Sequence, residues 1–282
     1  MTGDRVTTPP AGLRARGVTA RAGGRTLVDA ADVDAAPGEV TGIIGPNGAG
    51  KSTLLRVLAG LDRSADGSVE VGGRDIRRLR EPRRAALVAT VPQETALDFD
   101  FTVADVVGFG RHHRIGRLSR PGADDAAAVA EAMARVGIAH LADRAVPTLS
   151  GGERQLTHIA RALAQDTPVL LLDEPVSALD LRHELLVLQL LREIAAEGRT
   201  VVAVLHDLSQ AARFCDRLVL LGRGAVRAAG SPREVLRPDL LDGVYRVRAA
   251  VREDPDTGAP HVTALAALPA DAGLPATEGT AR

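Results

Sequence analysis

Aromatic side chains make up only 2% of this 282-residue chain, with no Trp, one Tyr and four Phe. That scarcity argues against a base-stacking platform for single-stranded nucleic acid. It also leaves the core to Leu, Val, Ile and Ala. Cysteine occurs once, as Cys215, so no intrachain disulfide is possible and a reducing compartment fits. Cys215 itself reads as a small apolar residue on a helix. A formal net charge of -1 supplies no basic stripe, so nucleic acid is not an expected partner. Long apolar runs are missing too. Residues 169–172 and 201–205 are the longest, far below the ~20 residues a membrane helix needs. The polar, proline-containing start over 1–10 does not read as a signal peptide. Any membrane role is expected to come through a partner.

Lysine is nearly absent as well. Every basic Lys/Arg position is arginine except Lys51. It lies in Gly45-Pro46-Asn47-Gly48-Ala49-Gly50-Lys51-Ser52-Thr53, which fits the phosphate-loop pattern G-x-x-x-x-G-K-[ST]. Lysine is a compact charge on a thin stem, whereas arginine is a broad planar fork. In a tight glycine loop the thin stem reaches the β- and γ-phosphates. Backbone N–H groups of Gly48, Gly50, Lys51 and Ser52 form an anion nest at a helix start. The Ser52 hydroxyl is placed to ligate Mg²⁺.

The surrounding pattern supplies the context this motif requires. A short apolar run over 40–44 enters the loop, and a helix over 51–59 leaves it and stops at Gly60. Strand-like pieces precede it around Gly23-Gly24, and strands are expected over 68–71 and 87–91. Between 102 and 164 the signals turn helical, with helices over 124–136 and 150–164. Apolar runs at 169–172, 201–205 and 218–221 then alternate with helices at 181–196 and 207–215. This pattern predicts an α/β core with a mostly parallel sheet covered on both faces, and an inserted α-helical subdomain.

Two further strings carry chemistry. The run 169–172 ends in Asp173-Glu174. Strand side chains alternate faces, so the two carboxylates take different directions. Asp173 is assigned to Mg²⁺ and Glu174 to general-base activation of water. In Leu149-Ser150-Gly151-Gly152-Glu153, Ser150 and Glu153 form a capping box that opens a helix. The two glycines let a phosphate from a second molecule approach the free N–H groups of that helix end.

With these strings in place the chain resembles the ATP-binding subunits of ABC transporters over residues 13–251. The resemblance rests on the phosphate loop, Gln93 as the glutamine loop, the signature 149–153, the strand ending in Asp173-Glu174, Ser177-Ala178-Leu179-Asp180 as the D-loop, and His206 as the switch histidine. It implies a phosphate-loop NTPase core with an N-terminal antiparallel β subdomain and a helical subdomain at about 94–164. It also implies boundaries of a disordered tail to 12, an ATP-binding domain over 13–250 and a short, partly disordered extension over 251–282. The cofactors are ATP and Mg²⁺. The working unit is a head-to-tail dimer, with a second subunit's Ser150, Gly151, Gly152 and Glu153 closing over ATP. Gln93 would sense Mg²⁺ and the attacking water, His206 would contact the γ-phosphate, and Asp180 would cross the dimer. Transmembrane permease subunits are direct partners and an extracytoplasmic substrate-binding protein an indirect one. The subunit is expected peripherally, on the cytoplasmic face of the membrane.

Residues 110–117, the stretch Asp180-Leu181-Arg182-His183 and the tail Val244-Tyr245-Arg246-Val247 look like the branch that imports ferric siderophores, haem or cobalamin, although His113 stands where that branch has proline. The alternatives are an exporter ATPase with separate membrane subunits, and a soluble ABC-type ATPase acting on DNA or ribosomes. Against the latter stand the single motif set and the missing basic stripe. The chain departs from the family pattern at Ala22, where a tyrosine that stacks on adenine is expected, and at Val176 and Leu156. Weak stacking and loose base discrimination are the expected result.

Overall fold

The computed structural model describes residues 11–93, 100–114 and 120–269. The chain begins with two long antiparallel strands, β1 (Leu13–Ala22) and β2 (Arg25–Ala35), joined by the Gly23-Gly24 turn. β3 (Val40–Ile44), the glycine loop and α1 (Lys51–Leu58) follow. Next come β4 (Asp66–Val71), β5 (Arg74–Asp75), α2 (Glu81–Ala85) and β6 (Val88–Val91). A helical stretch holds α3 (Val103–Gly108), α4 (Ala123–Arg135) and α5 (Gly151–Ala164). The chain then alternates: β7 (Val169–Asp173), α6 (Leu181–Ala196), β8 (Thr200–Val204), α7 (Leu208–Phe214) and β9 (Arg217–Gly222). It ends with β10 (Ala225–Gly230), α8 (Pro232–Val235), α9 (Pro238–Tyr245), β11 (Val247–Glu253) and β12 (Pro260–Ala267).

The central sheet has the order β10-β9-β3-β8-β7-β6. Its strands run parallel except for the antiparallel edge pair β9–β10. Along each central strand the side chains alternate between two cores. Ile44, Leu170, Leu172, Val201, Ala203, Leu218 and Leu220 face one, shared with α3 to α7. Ile43, Val169, Leu171, Val202, Val204, Val219 and Leu221 face the other, shared with α1 and the antiparallel sheet β2-β1-β4-β5. Burial on both faces is why these strands read as unbroken apolar runs. Each such Leu, Ile or Val contributes about 1.5–3 kcal/mol through burial.

Parallel strands place their C-terminal ends along one edge, where open α/β sheets bind ligands. Here that edge collects the loop after β3, the end of β7 and the turn after β8. The C-terminal residues up to 269 are more ordered in pattern than their sequence suggests. β11 and β12 pair as a separate hairpin, and β12 packs against α7. At the other end, Ala11 and Gly12 are tied down: their carbonyls accept from the Thr200 hydroxyl at 3.0 Å and the Gly72 N–H at 3.1 Å. Of the expected tail over 1–12 and the expected partly disordered extension over 251–282, residues 1–10 and 270–282 lie outside the described residues, as do 94–99 and 115–119 of the helical insertion.

Candidate functional site

The loop between β3 and α1 takes its shape from glycines that no other residue could replace. Gly45 has φ 152°, and a Cβ there would run into the Leu221 carbonyl of the adjacent strand. Gly50, with φ 97°, is pressed against the Leu27 carbonyl in the same way. The loop's crest is fastened from behind by the Gly224 N–H, which donates to the Ala49 carbonyl at 3.1 Å. Pro46, Asn47 and Gly48 form the turn, closed by the Ala49 N–H on the Pro46 carbonyl at 3.1 Å.

Lys51, the first residue of α1, is buried with 6% exposure. Its ammonium donates to the carbonyls of Gly45 at 2.8 Å and Pro46 at 3.1 Å, so it lies folded along the loop mouth. Burial holds it below the usual lysine range, partly offset by the carboxylates of Glu174 and Asp173. The next side chain, Ser52, donates its hydroxyl to Asp173 Oδ1 at 3.2 Å. Thr53 follows within the same helix. Burial raises the proton affinity of Asp173, and the Ser52 hydrogen bond partly offsets this. A hydroxyl and a carboxylate side by side, the latter short of compensating charge, form an oxygen donor set suited to a hard cation such as Mg²⁺.

Glu174 leaves the strand in a left-handed conformation, φ 51°. For a non-glycine residue this costs about 1–2 kcal/mol. The bend aims its carboxylate between two side chains from other elements. Gln93, just past β6, donates its amide Nε2 to Glu174 Oε2 at 2.6 Å. His206, after β8, approaches Glu174 Oε1 with Nε2 at 2.5 Å. The Gln93 donation leaves its amide oxygen available as a further ligand. Six side chains from the sequence reading, at 51, 52, 93, 173, 174 and 206, therefore meet at one edge.

The signature residues stand apart from this group. Ser150 accepts the Glu153 N–H at 3.2 Å, and Glu153 accepts the Ser150 N–H at 2.8 Å, which closes the expected capping box. Those bonds, with Arg144 nearby at 3.3 Å from Glu153, hold the Glu153 carboxyl below its ordinary range. Ser150 and Gly151 are exposed. Gly152 lies against the D-loop: a Cβ there would meet Leu179 Cδ2 at 3.3 Å and the Ala178 carbonyl at 3.5 Å. Asp180 caps α6, and its carboxylate also holds His183 Nδ1 at 2.9 Å. Among the described residues no hydrogen bond or ion pair joins 150–153 to 45–53. The connection is indirect: Gln155 on α5 donates to the Pro175 carbonyl at 3.2 Å, one residue past Glu174.

One contact lay beyond the sequence reading: three positions into the helix that Asp180 caps, His183 turns its Nδ1 back onto that carboxylate at 2.9 Å. Cys215 is buried beside Gly42, and burial pushes its thiol up to about 12, as befits an inert apolar packing residue.

A sequence profile described as "ABC transporter" matches residues 28–177. A cobalamin import ATP-binding protein of Halobacterium salinarum is 46% identical over 255 residues, covering 90% of this chain and 63% of its own length. The chain thus spans under two thirds of that relative. A hemin import ATP-binding protein of Pseudomonas aeruginosa is 44% identical over 258 residues, covering 89% of this chain and 99% of its own. Among solved structures, a chain of a metal-chelate type ABC transporter in an inward-facing conformation superposes with a TM-score of 0.78 at 29% identity, over 90% of this chain and 98% of that one.

Proposed function

The chain belongs to the ABC transporter family, and from that premise we propose that it is the ATP-hydrolysing subunit of an importer for a metal chelate: ferric siderophore, haem or cobalamin. The observation that carries the reading is the convergence of Lys51, Ser52, Asp173, Glu174, Gln93 and His206 at one sheet edge. The names of the relatives favour import over the exporter alternative. The ATP-binding domain spans about 13–250, with the helical subdomain at about 94–164 inserted in it.

The nucleotide phosphates lie in the nest of 45–53, where N–H groups and the helix dipole favour negative charge. The Lys51 ammonium exchanges its loop carbonyls for the β- and γ-phosphate oxygens. Ser52, Asp173 and the Gln93 amide oxygen would hold Mg²⁺, which when bound would neutralise charge developing on the phosphates. Glu174 takes the proton of the attacking water, and His206 and Gln93 keep its carboxylate aimed. The γ-phosphate's far side is met by Ser150, Gly151 and Gly152 of a second copy, with Asp180 crossing to the water site. Closure of the two copies rotates the helical subdomain and pushes permease subunits, a lid-type motion. No described helix is long and apolar enough to cross a membrane, which fits peripheral attachment through those permeases at the cytoplasmic face. An extracytoplasmic binding protein delivers the cargo, and this subunit never touches it.

Glu174→Gln tests the reading. The variant is expected to bind ATP and accumulate as a dimer in size-exclusion chromatography, with turnover reduced by about 10²–10⁴-fold. Turnover near that of the wild type would remove Glu174 from its role. Transport assays with the permease in liposomes, one chelate at a time, identify the cargo.

A further inference from the structure

Three helix starts in this chain follow one rule. In α3, α5 and α8 the cap is Thr102, Ser150 or Ser231, and an acid three positions on accepts the cap's own N–H. The start of α6 breaks that rule. Its cap is Asp180, whose carboxylate accepts the His183 N–H at 2.9 Å, and the third position holds a base. The imidazole turns back onto the cap's side chain. Nδ1 lies 2.9 Å from Asp180 Oδ1 and 3.0 Å from Oδ2, and between two carboxylate oxygens it donates. A helix N-terminus favours negative charge, so a ring that can take up a proton is a poor choice there for helix stability. What the ring does is fix the direction of one carboxylate. The helix N–H and the ring together hold the Asp180 carboxyl below its ordinary range, so it stays ionised.

That carboxylate ends an exposed turn. Ser177, Ala178 and Asp180 face solvent, and Leu181, the first residue of α6, is 69% exposed. The signature glycines lie against the same turn: an added Cβ on Gly151 would stand 4.0 Å from Ala178 Cβ, and one on Gly152 would stand 3.3 Å from Leu179 Cδ2. The turn thus belongs to the surface that the second copy meets in the dimer proposed above. Its other end is tied to Glu174, whose carbonyl accepts the Ser177 N–H at 3.3 Å and the Ser177 hydroxyl at 3.1 Å.

We propose that His183 is a positioning residue: its ring clamps the Asp180 carboxylate against the start of α6, and so presents the turn 177–180 in the shape that completes the second copy's nucleotide site. It touches no reacting atom. The inference rests on the ATP reading above.

His183→Ala removes the ring and keeps the backbone N–H that Asp180 caps, so α6 is expected to survive. In the full chain kcat for ATP is expected to fall about three- to tenfold, the range of one hydrogen bond, while the Kd of the monomeric chain for ATP stays within about twofold. His183→Asn sets an amide N–H where Nδ1 stood and is expected to restore kcat. In an Asp180→Ser background a hydroxyl still caps α6 but is too short to meet the ring. There His183→Ala is expected to change kcat by less than about twofold, because the two residues act as one unit. Equal losses in both backgrounds, no rescue by asparagine, or a lower melting temperature at unchanged kcat would each overturn the proposal and leave the ATP reading standing. A wild-type chain that hydrolyses no ATP overturns the ATP reading, and the proposal with it.

Discussion

The phosphate-loop edge and the signature end of α5 are built on opposite plans. At the edge, Lys51 and Asp173 are buried, Ser52 and Glu174 partly so, and the side chains hydrogen-bond one another across four elements. At the signature, Ser150 and Gly151 face solvent, and the capping box satisfies only its own members. A helix start leaves four N–H groups without intrahelical partners, and the box answers only part of that need. The edge side chains meet one another within one chain, whereas in the proposed dimer the signature is half of a contact. Among the described residues the two are joined by the Gln155 side chain on the Pro175 carbonyl and by Gly152 packed against Ala178 and Leu179. A partner nucleotide touching Gly151 would thus press on the segment that carries Glu174.

Gly151→Asp gives the largest expected break in this comparison. The space beside Gly151 is open, with Ala178 Cβ the nearest atom at 4.0 Å from an added Cβ, so the fold is expected to survive. A carboxylate there repels the partner's γ-phosphate. Turnover is expected to fall by about 10²–10³-fold, comparable to losing an electrostatic stabiliser of the transition state. Combined with Glu174→Gln, it is expected to abolish the ATP-dependent dimer in size-exclusion chromatography while one-chain ATP binding persists. Loss of one-chain binding would mean the two regions are a single site, and the contrast would fail.

The two regions also differed in how far the sequence disclosed them. The edge was legible because its strands, buried on both faces, read as apolar runs at 169–172, 201–205 and 218–221, each within a residue of the observed strand. Lys51, Ser52 and Asp173 were legible because the proposed phosphate and Mg²⁺ chemistry calls for those groups at those places. The triangle of Gln93, Glu174 and His206 is a product of three separate strands, which a local pattern does not encode. β1 and β2 were seen only as fragments, because register shifts between Ala15, Val18, Ala20 and Arg21 break their alternation. β12 is exposed along most of its length, so no hydrophobic period marks it.

A second difference lies inside α5. His158 is 1% exposed, and neither ring nitrogen has a hydrogen-bond partner. Burial, reinforced by Arg161 and Arg154, pushes its pKa down to about 4. An unfolded histidine titrates near 6.5, so between the two values the unfolded chain binds the extra proton. The stability contribution is fully present above about pH 6.5 and is lost as the pH falls toward 4. At pH 5 the loss amounts to about 2 kcal/mol. His158→Leu is expected to recover it, seen as a larger gain in urea midpoint at pH 5 than at pH 7.5. An equal gain at both pH values would show that His158 is not the source, and that the signature helix carries no acid-labile core.

The smallest expected effect concerns the edge itself, which lacks one part of a nucleotide site. Ala22 ends β1 in an exposed position, paired with Arg25 across the turn. Of the two arginines that could lie over a base, Arg21 is held by Asp66 at 2.8 Å, while Arg25 has no ion pair among the described residues. The loop and Lys51 then supply most of the affinity, and phosphates do not distinguish adenine from guanine. Wild-type Kd values for ATP and GTP are expected to lie within a few-fold of each other. Ala22→Tyr restores a ring at an exposed strand end without displacing a buried group. Stacking contributes about 1–3 kcal/mol per base, and at the lower end ATP is bound about fivefold tighter. A wild-type chain that already prefers ATP strongly, at micromolar affinity, would show that something other than the loop and Arg25 reads the base.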